Sequence, residues 1–341
     1  MTDFLSATET GTTARLREAL RAWLTAIFGT SAEVHDLVCL AGGASQEAWG
    51  FTFADRRLVL RRDMGGALLD YGTERYDEFR VMQTVHRAGV LVPEPLAYTD
   101  DLLGRAAFVM ERIDGETIGR RLVSQAQYAA IRPVLIKQLA TNLARIHRLD
   151  PAELAFLPGS TDPRTAATTE LDRFQAQLDR LGEPHPALEL GLRWLRRHLP
   201  ATDRVSLVHG DYRTGNFIVR PDTGLAGILD WEFAHLGDPL EDLGWMCVRA
   251  WRFGADDRAA GGLTDRHTLF RAYERASGTR LEAERMRWWE LFGNVRWAIG
   301  TLGQAARHLD GLHRSIELAS LGRICAEVEL ETLRMIEELE R

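Results

Sequence analysis

The stretch that most constrains the fold runs from Leu207 to Trp245, LVHGDYRTGNFIVRPDTGLAGILDWEFAHLGDPLEDLGW. Val205 to Val208 is an apolar run of strand length. His209-Gly210-Asp211 breaks it, with Gly210 free to turn the backbone. Phe217 to Val219 predicts a second short strand, Pro221-Asp222-Thr223-Gly224 a turn, and Leu225 to Leu229 a returning strand that ends at Asp230. Such a hairpin carries Asp230 back beside the loop that holds Asp211 and Asn216. Two carboxylates and an amide oxygen gathered at strand ends suit phosphoryl transfer. Asn216 and Asp230 supply the hard oxygen ligands that Mg²⁺ takes while it keeps phosphates and waters in its shell. Asp211 is left to orient and deprotonate an attacking hydroxyl.

Protein kinases use an Asp, an Asn five residues on, and a second metal-binding Asp after a hairpin; Asp211, Asn216 and Asp230 have that order and spacing. HGDYRTGN, ILDWE and GDPLEDL together resemble the aminoglycoside phosphotransferase family of small-molecule kinases, which shares the protein-kinase fold. The most similar branch is the bacterial phosphotransferase group, akin to the kinase-like domains fused to some acyl-CoA dehydrogenases. The resemblance extends roughly from Val34 to the last helix and is strongest between Leu207 and Phe253. It implies an α+β, protein-kinase-like two-lobe fold. A small N-lobe of antiparallel sheet plus helix would occupy residues 1–112, and a larger, mostly helical C-lobe residues 113–341. It also implies ATP or GTP as phosphate donor, Mg²⁺ as the metal, and a small-molecule hydroxyl as acceptor.

Length and composition agree. A chain of 341 residues with 45% hydrophobic content is long enough for two lobes sharing a cleft. A net charge of −7 gives no reason to expect nucleic acid binding. No apolar run approaches ~20 residues, so no membrane span is expected. Cys39, Cys247 and Cys325 are sparse and far apart, which reads as free thiols in a reducing, cytoplasmic setting. Lys137 is the only lysine, so any cationic role near a nucleotide falls to arginine.

In the first part of the chain, Ala14 to Phe28 is apolar at helical spacing, and the polar residues before it predict a frayed terminus. Val34 to Leu40, Glu47 to Phe53 and Arg57 to Arg62 read as strands, Thr73 to His86 as a helix, and Leu96 to Tyr98 and Ala106 to Glu111 as further strands. The resemblance implies phosphate contacts from backbone N–H groups at Ala44, Ser45 and Gln46. Val59 to Arg61 lines up with the kinase V-A-I-K strand, so the resemblance carries the phosphate-anchoring lysine's role to Arg61, with Arg62 as alternate. Glu78 is its expected acidic partner, with Glu74 and Asp77 competing. Backbone groups from Glu111 to Ile113 occupy the position of the adenine-binding hinge.

In the second part, Tyr128 to Arg148, Thr165 to Leu181, Ala187 to Leu199, Leu240 to Phe253, Arg266 to Ser277, Glu282 to Leu309 and Ser315 to Glu338 read as helices. The resemblance places His209 beneath the catalytic loop and Arg213 either on the transferred phosphoryl group or in a salt bridge within the loop. Asp238 and Asp242 are expected to brace the loop through backbone amides. Trp245, Arg249 and Arg252 are the candidate acceptor-binding residues. Arginines with aromatics suit an anionic or amphipathic alcohol, such as a hydroxy acid or hydroxyacyl-CoA. The rival readings are an aminoglycoside kinase, a choline, homoserine or sugar kinase of the same fold, and a pseudokinase that binds nucleotide without catalysis.

Overall fold

A computed structural model describes residues 2–40, 46–63, 72–312 and 314–341. Ala44 and Ser45 lie outside the described residues, as does the side chain of Gln46. The chain divides into two compact units, Met1–Arg87 with Val92–Asp114, and Ala88–Leu91 with Gly115–Arg341.

In the first unit a helix, α1 (Thr2–Phe28), precedes three strands, β1 (Val34–Cys39), β2 (Gln46–Phe53) and β3 (Arg56–Asp63). Helix α2 (Arg75–Arg87) and strands β4 (Pro95–Thr99) and β5 (Ala107–Glu111) follow. The five strands form one sheet in the order β1-β2-β3-β5-β4, every pair antiparallel. Leu16, Leu20 and Leu24 of α1 pack with Phe51, Phe53, Leu58 and Leu60, which explains the helical spacing read from Ala14 onward. On α2, Phe79, Met82 and Val85 are buried. Helix α1 begins at Thr2, well before Ala14, where a frayed terminus was expected.

The second unit is mostly helical. Its helices are α3 (Gly119–Ser124), α4 (Arg132–Ile146), α5 (Pro163–Leu181), α6 (Pro186–Arg197), α7 (Leu240–Cys247), α8 (Arg266–Ser277), α9 (Ala283–Leu309), α10 (Ile316–Leu321) and α11 (Cys325–Leu339). Between α6 and α7 lie four short strands, β6 (Ser206–Val208), β7 (Phe217–Arg220), β8 (Gly224–Ile228) and β9 (His235–Gly237). β7 and β8 form the hairpin expected from the PDTG turn, and β9 pairs antiparallel with β6. No described helix is long and apolar enough to cross a membrane.

Three expected helices differ in detail, each for a physical reason. α4 starts at Arg132 rather than Tyr128, because Pro133 fits only a first helical turn. The single helix expected from Leu240 to Phe253 breaks at Val248, whose ψ of 137° is extended, and continues as a 3-10 turn over Arg249–Arg252. Trp245 and Trp251 pack in one cluster with ring centroids 5.2 Å apart. Residues six apart point about 120° away from one another on a continuous helix, and the break brings both rings to that cluster. The expected helix from Ser315 to Glu338 is divided at Gly322, where a Cβ would stand 2.8 Å from that of Ala305 on α9.

Candidate active site

The loop expected to be catalytic begins where β6 ends. Gly210 has φ 79°, and a Cβ there would lie 2.3 Å from the Phe233 carbonyl oxygen, so only glycine fits the turn. The loop is held from beneath by Asp242, which is fully buried on α7. Its two oxygens accept the backbone N–H groups of His209 (2.8 Å) and Gly210 (2.9 Å), and it also meets His147 Nε2 at 3.1 Å. Burial alone would raise the Asp242 pKa, but the hydrogen bond and charge of His147 outweigh it and leave the carboxyl below its ordinary value. Asp238 accepts from Leu240 N at 2.9 Å and from Thr202 Oγ1 at 2.8 Å and pairs with Arg285 at 3.2 Å, so its contacts are to the start of α7 and its surroundings rather than to the loop it was expected to brace.

His209 is fully committed. Its Nδ1 accepts from Asp211 N at 3.1 Å, which fixes the tautomer, so Nε2 donates to the Leu229 carbonyl at 3.0 Å. Burial holds this imidazole below its ordinary pKa despite the pull of Asp242, Asp211 and Asp230. A neutral ring with both nitrogens engaged holds the loop's shape and has no lone pair left for an acceptor hydroxyl.

Asp211 itself is held by three side chains. Oδ1 accepts from Arg213 Nε at 2.9 Å and from Trp245 Nε1 at 2.8 Å. Oδ2 accepts from Asn216 Nδ2 at 2.6 Å, and the same nitrogen reaches the Asp211 carbonyl at 3.0 Å. Both partners of that nitrogen are oxygens, so the orientation of the Asn216 amide is settled. Its Oδ1 accepts no hydrogen bond from any described residue, although Asn216 is only 5% exposed. The hairpin supplies the next ligand: Leu229 N donates to the Asn216 carbonyl at 2.8 Å, which sets Asp230 beside it with φ 69°. An amide oxygen without a protein partner next to a half-buried carboxylate fits a hard divalent cation, and Asn216 with Asp230 would hold it.

A family model described as "Phosphotransferase enzyme family" matches residues 36–289, well over half of the chain. The chain belongs to that family. The mouse protein acyl-CoA dehydrogenase family member 10 is 31% identical to this phosphotransferase over 240 residues, 68% of this chain and 22% of that protein. The chain therefore spans only about a fifth of that relative's length. A solved Ralstonia eutropha structure, described as an aminoglycoside phosphotransferase, aligns with TM-score 0.75 at 24% identity, covering 94% of this chain and 98% of that one. Spectinomycin phosphotransferase, solved with ADP and spectinomycin, aligns with TM-score 0.63 at 13% identity over 92% of this chain and 98% of that one. At these identities the two structures bear on the fold, and that fold is the protein-kinase-like α+β arrangement.

In the first unit of the phosphotransferase, Arg61 and Glu78 do meet, with Arg61 NH2 3.4 Å from Glu78 Oε1. Glu78 has no solvent exposure and also pairs with Arg75, which is anchored to Asp63 at 2.8 Å. Strand alternation points Arg62 the other way, where it binds Glu47 at 2.6 Å. Arg61 is thus the strand arginine that shares a carboxylate with α2. At the hinge segment, Glu111 N–H donates to the Glu94 carbonyl and Arg112 N–H to the Arg57 carbonyl, both at 2.9 Å. The Glu111 amide is thereby removed from ligand binding, and among the three hinge amides only that of Ile113 has no backbone acceptor.

Two of the three expected acceptor residues are turned inward. Trp245 is 5% exposed and serves Asp211, with the Arg296 guanidinium 4.4 Å over its ring. Arg252 is 7% exposed and binds Glu290 (3.0 Å) and the Cys247 carbonyl (2.9 Å). The helix break at Val248 is the cause, since it rotates Arg252 away from the face expected of it. Arg249 does line an open cleft of about 330 Å³ with Arg120, Phe253, Asp256, Trp297 and Glu331. There it pairs with Asp256 at 2.9 Å and Glu331 at 3.7 Å. Arg213 forms its salt bridge within the loop and lies 4.2 Å over the Trp251 ring.

Arg296 on α9 was not foreseen. It donates to Glu241 Oε1 at 3.0 Å and to the Gly210 carbonyl, while covering Trp245. The Trp245→Phe variant keeps an aromatic, though smaller, side chain and deletes one hydrogen bond to the Asp211 carboxylate, worth about 1.5–3 kcal/mol. We expect kcat to fall about tenfold to a hundredfold with nucleotide KM unchanged, read from steady-state kinetics. An unchanged kcat would remove Trp245 from the positioning of Asp211.

His235, opposite Val208 on β9, donates from both nitrogens, to the Phe233 carbonyl (2.9 Å) and Glu241 Oε2 (3.1 Å). Burial pulls its pKa down, but Glu241 and Glu170 outweigh that and the opposing Arg173, so the net shift is upward. A raised folded pKa contributes stability that is complete below the unfolded value of about 6.5 and is lost as pH rises through the folded value. The stability advantage of the wild type over His235→Gln, from urea unfolding, should therefore shrink as pH rises above neutrality. A difference independent of pH would contradict this.

Proposed function

We propose that this phosphotransferase moves the γ-phosphoryl group of ATP or GTP to a hydroxyl of a small molecule. The observation that carries the reading is the Asp211 carboxylate fixed by Arg213, Trp245 and Asn216, beside an Asn216 amide oxygen that accepts no hydrogen bond from any described residue. Asp211 orients the acceptor hydroxyl and takes its proton as the O–P bond forms. Its fixed geometry means little reorganisation is needed when the hydroxyl arrives. Asn216 and Asp230 would hold Mg²⁺, which would supply charge neutralisation for the phosphate oxygens. Arg61, oriented by Glu78, offers a fork for phosphate oxygens in the first unit, and the Ile113 amide is the hinge donor for a nucleobase. Arg213 can keep its bond to Asp211 through Nε and turn its remaining N–H groups to the transferred phosphoryl.

For the acceptor, an anionic or amphipathic alcohol of the hydroxy acid or hydroxyacyl-CoA type is supported by Arg120 and Arg249 in the cleft beside Trp297. The names of the acyl-CoA dehydrogenase relatives agree with an acyl-CoA setting. A cationic acceptor is the second reading, favoured by Asp256, Glu327 and Glu331 on the same cleft and by the neutralisation of Arg249. A Mg²⁺-dependent transfer assay with ATP and GTP separates them, offering hydroxy acids, hydroxyacyl-CoAs, aminoglycosides, choline and sugars. Phosphate transfer to the acyl and acid acceptors supports the first reading, and transfer to amines alone supports the second. Nucleotide binding with neither transfer nor hydrolysis would indicate a pseudokinase.

A further inference from the structure

His185, Cys325 and Glu329 have no part in the chemistry above. Cys325 and Glu329 are one turn apart on α11, so their side chains share a face. His185 is the residue that leads into α6, which packs closely on α11: a Cβ on Gly191 would stand 2.9 Å from Thr332 Cγ2. One ring nitrogen, the thiol sulfur and one carboxylate oxygen all lie within 4.8 Å of one another. His185 Nδ1 is 3.0 Å from Glu329 Oε1. The other nitrogen, Nε2, is buried without a hydrogen-bond partner. A buried ring nitrogen left unpaired calls for a ligand that protein groups do not supply. Turning the ring to present Nε2 would give up the Nδ1 contact with Glu329, and a cation bound to both side chains would replace that contact.

A second buried cluster, Glu170, His235 and Glu241, sharpens the comparison. There Arg173 and Arg296 already neutralise the carboxylates, so a cation would be repelled. No such arginine serves Glu329: His185 is its ion-pair partner among the described residues. The side chain of Glu329 is 24% exposed and that of His185 14%, which leaves an approach from solvent.

We propose that His185, Cys325 and Glu329 bind a zinc-type divalent cation that staples α11 to the segment entering α6. Imidazole, thiolate and carboxylate are the ligand set of Zn²⁺, whereas Mg²⁺ takes oxygen ligands and would not compete. Zinc bonds of about 2.0–2.3 Å put tetrahedral ligands roughly 3.3–3.8 Å apart, within reach of side-chain rotation from the present spacing. As the metal–sulfur bond forms, the thiol proton passes to solvent, and water fills the fourth position.

The test uses the full chain, stripped by chelator and titrated with Zn²⁺, with metal content measured after dialysis. Co²⁺ in place of Zn²⁺ reports the sulfur ligand through its thiolate charge-transfer band. One equivalent is expected in the wild type and in Cys39→Ser, unaffected by excess Mg²⁺. Binding at least tenfold weaker is expected in Cys325→Ser, His185→Gln and Glu329→Gln, together with loss of the cobalt band in Cys325→Ser. Zinc should also raise the unfolding temperature of the wild type and leave that of Cys325→Ser unmoved. Equal binding in the wild type and the folded Glu329→Gln and His185→Gln variants, or the absence of any wild-type equivalent, would overturn the proposal. None of these readouts depends on phosphoryl transfer, so the site stands or falls apart from the proposed activity.

Discussion

Replacing Asp211 with Asn is expected to lower kcat by ~10²–10⁴, about 3–5.5 kcal/mol of transition-state stabilisation. The base is lost, and so is the pattern of donors around it. An amide cannot accept from Arg213, Trp245 and Asn216 at once, because one of its two heavy atoms is now a donor. The least costly arrangement keeps the amide oxygen on Arg213 and Trp245 and sets –NH₂ against the Asn216 nitrogen. Asn216 must then turn its amide over, which moves its oxygen away from the metal. The variant should therefore need more Mg²⁺ as well as turn over slowly, while its unfolding temperature stays close to wild type. Near-normal turnover would exclude Asp211 as the base.

The second large effect is expected at Asp242. In Asp242→Asn, a fully buried carboxylate that accepts from two backbone amides and from His147 loses its charge and keeps one accepting oxygen, so at least one backbone N–H of the loop is left facing a donor. Breaking a buried, hydrogen-bonded charge pair costs about 3–5 kcal/mol. Thermal unfolding should show a large loss of stability, and activity should fall with it because the loop from His209 to Asp211 loses its support. A variant as stable as the wild type would show that the loop is held by other contacts, Arg296 on the Gly210 carbonyl being the first to consider. The two variants are expected to differ in kind: Asp211→Asn in turnover at near-normal stability, Asp242→Asn in stability first.

The order of legibility in the sequence follows from these physics. The grouping of Asp211, Asn216 and Asp230 was readable because it depends on spacing along one strand–loop–hairpin unit, which local turn chemistry sets. The choice of Arg61 over Arg62 was half readable: alternation gives two faces, and only packing against α2 says which face meets Glu78. Trp245 was noticed for the wrong reason. A tryptophan near a catalytic loop suggests a substrate surface, but its indole N–H reaches back 34 residues to Asp211. Arg296 lies 86 residues from the Gly210 carbonyl it holds, on a helix whose pattern marks it only as one arginine among many. The break at Val248 was invisible too, since no Gly or Pro marks it and the cluster of Trp245, Trp251 and Trp297 that goes with it draws on a residue of α9 far along the chain. β9 escaped notice because His235-Leu236-Gly237 has no strand signature apart from its partner β6.

The central claim is that Asn216, Asp230 and Asp211 form one phosphoryl-transfer centre, and it can be tested before an acceptor is known. The measurement is the slow release of phosphate from ATP by the full chain, followed as a function of Mg²⁺ concentration in the wild type and in Asn216→Ala. The account requires metal-dependent release in the wild type, with the half-saturating Mg²⁺ concentration raised by roughly 10–100-fold in the variant. Superimposable metal curves for the two proteins would contradict it.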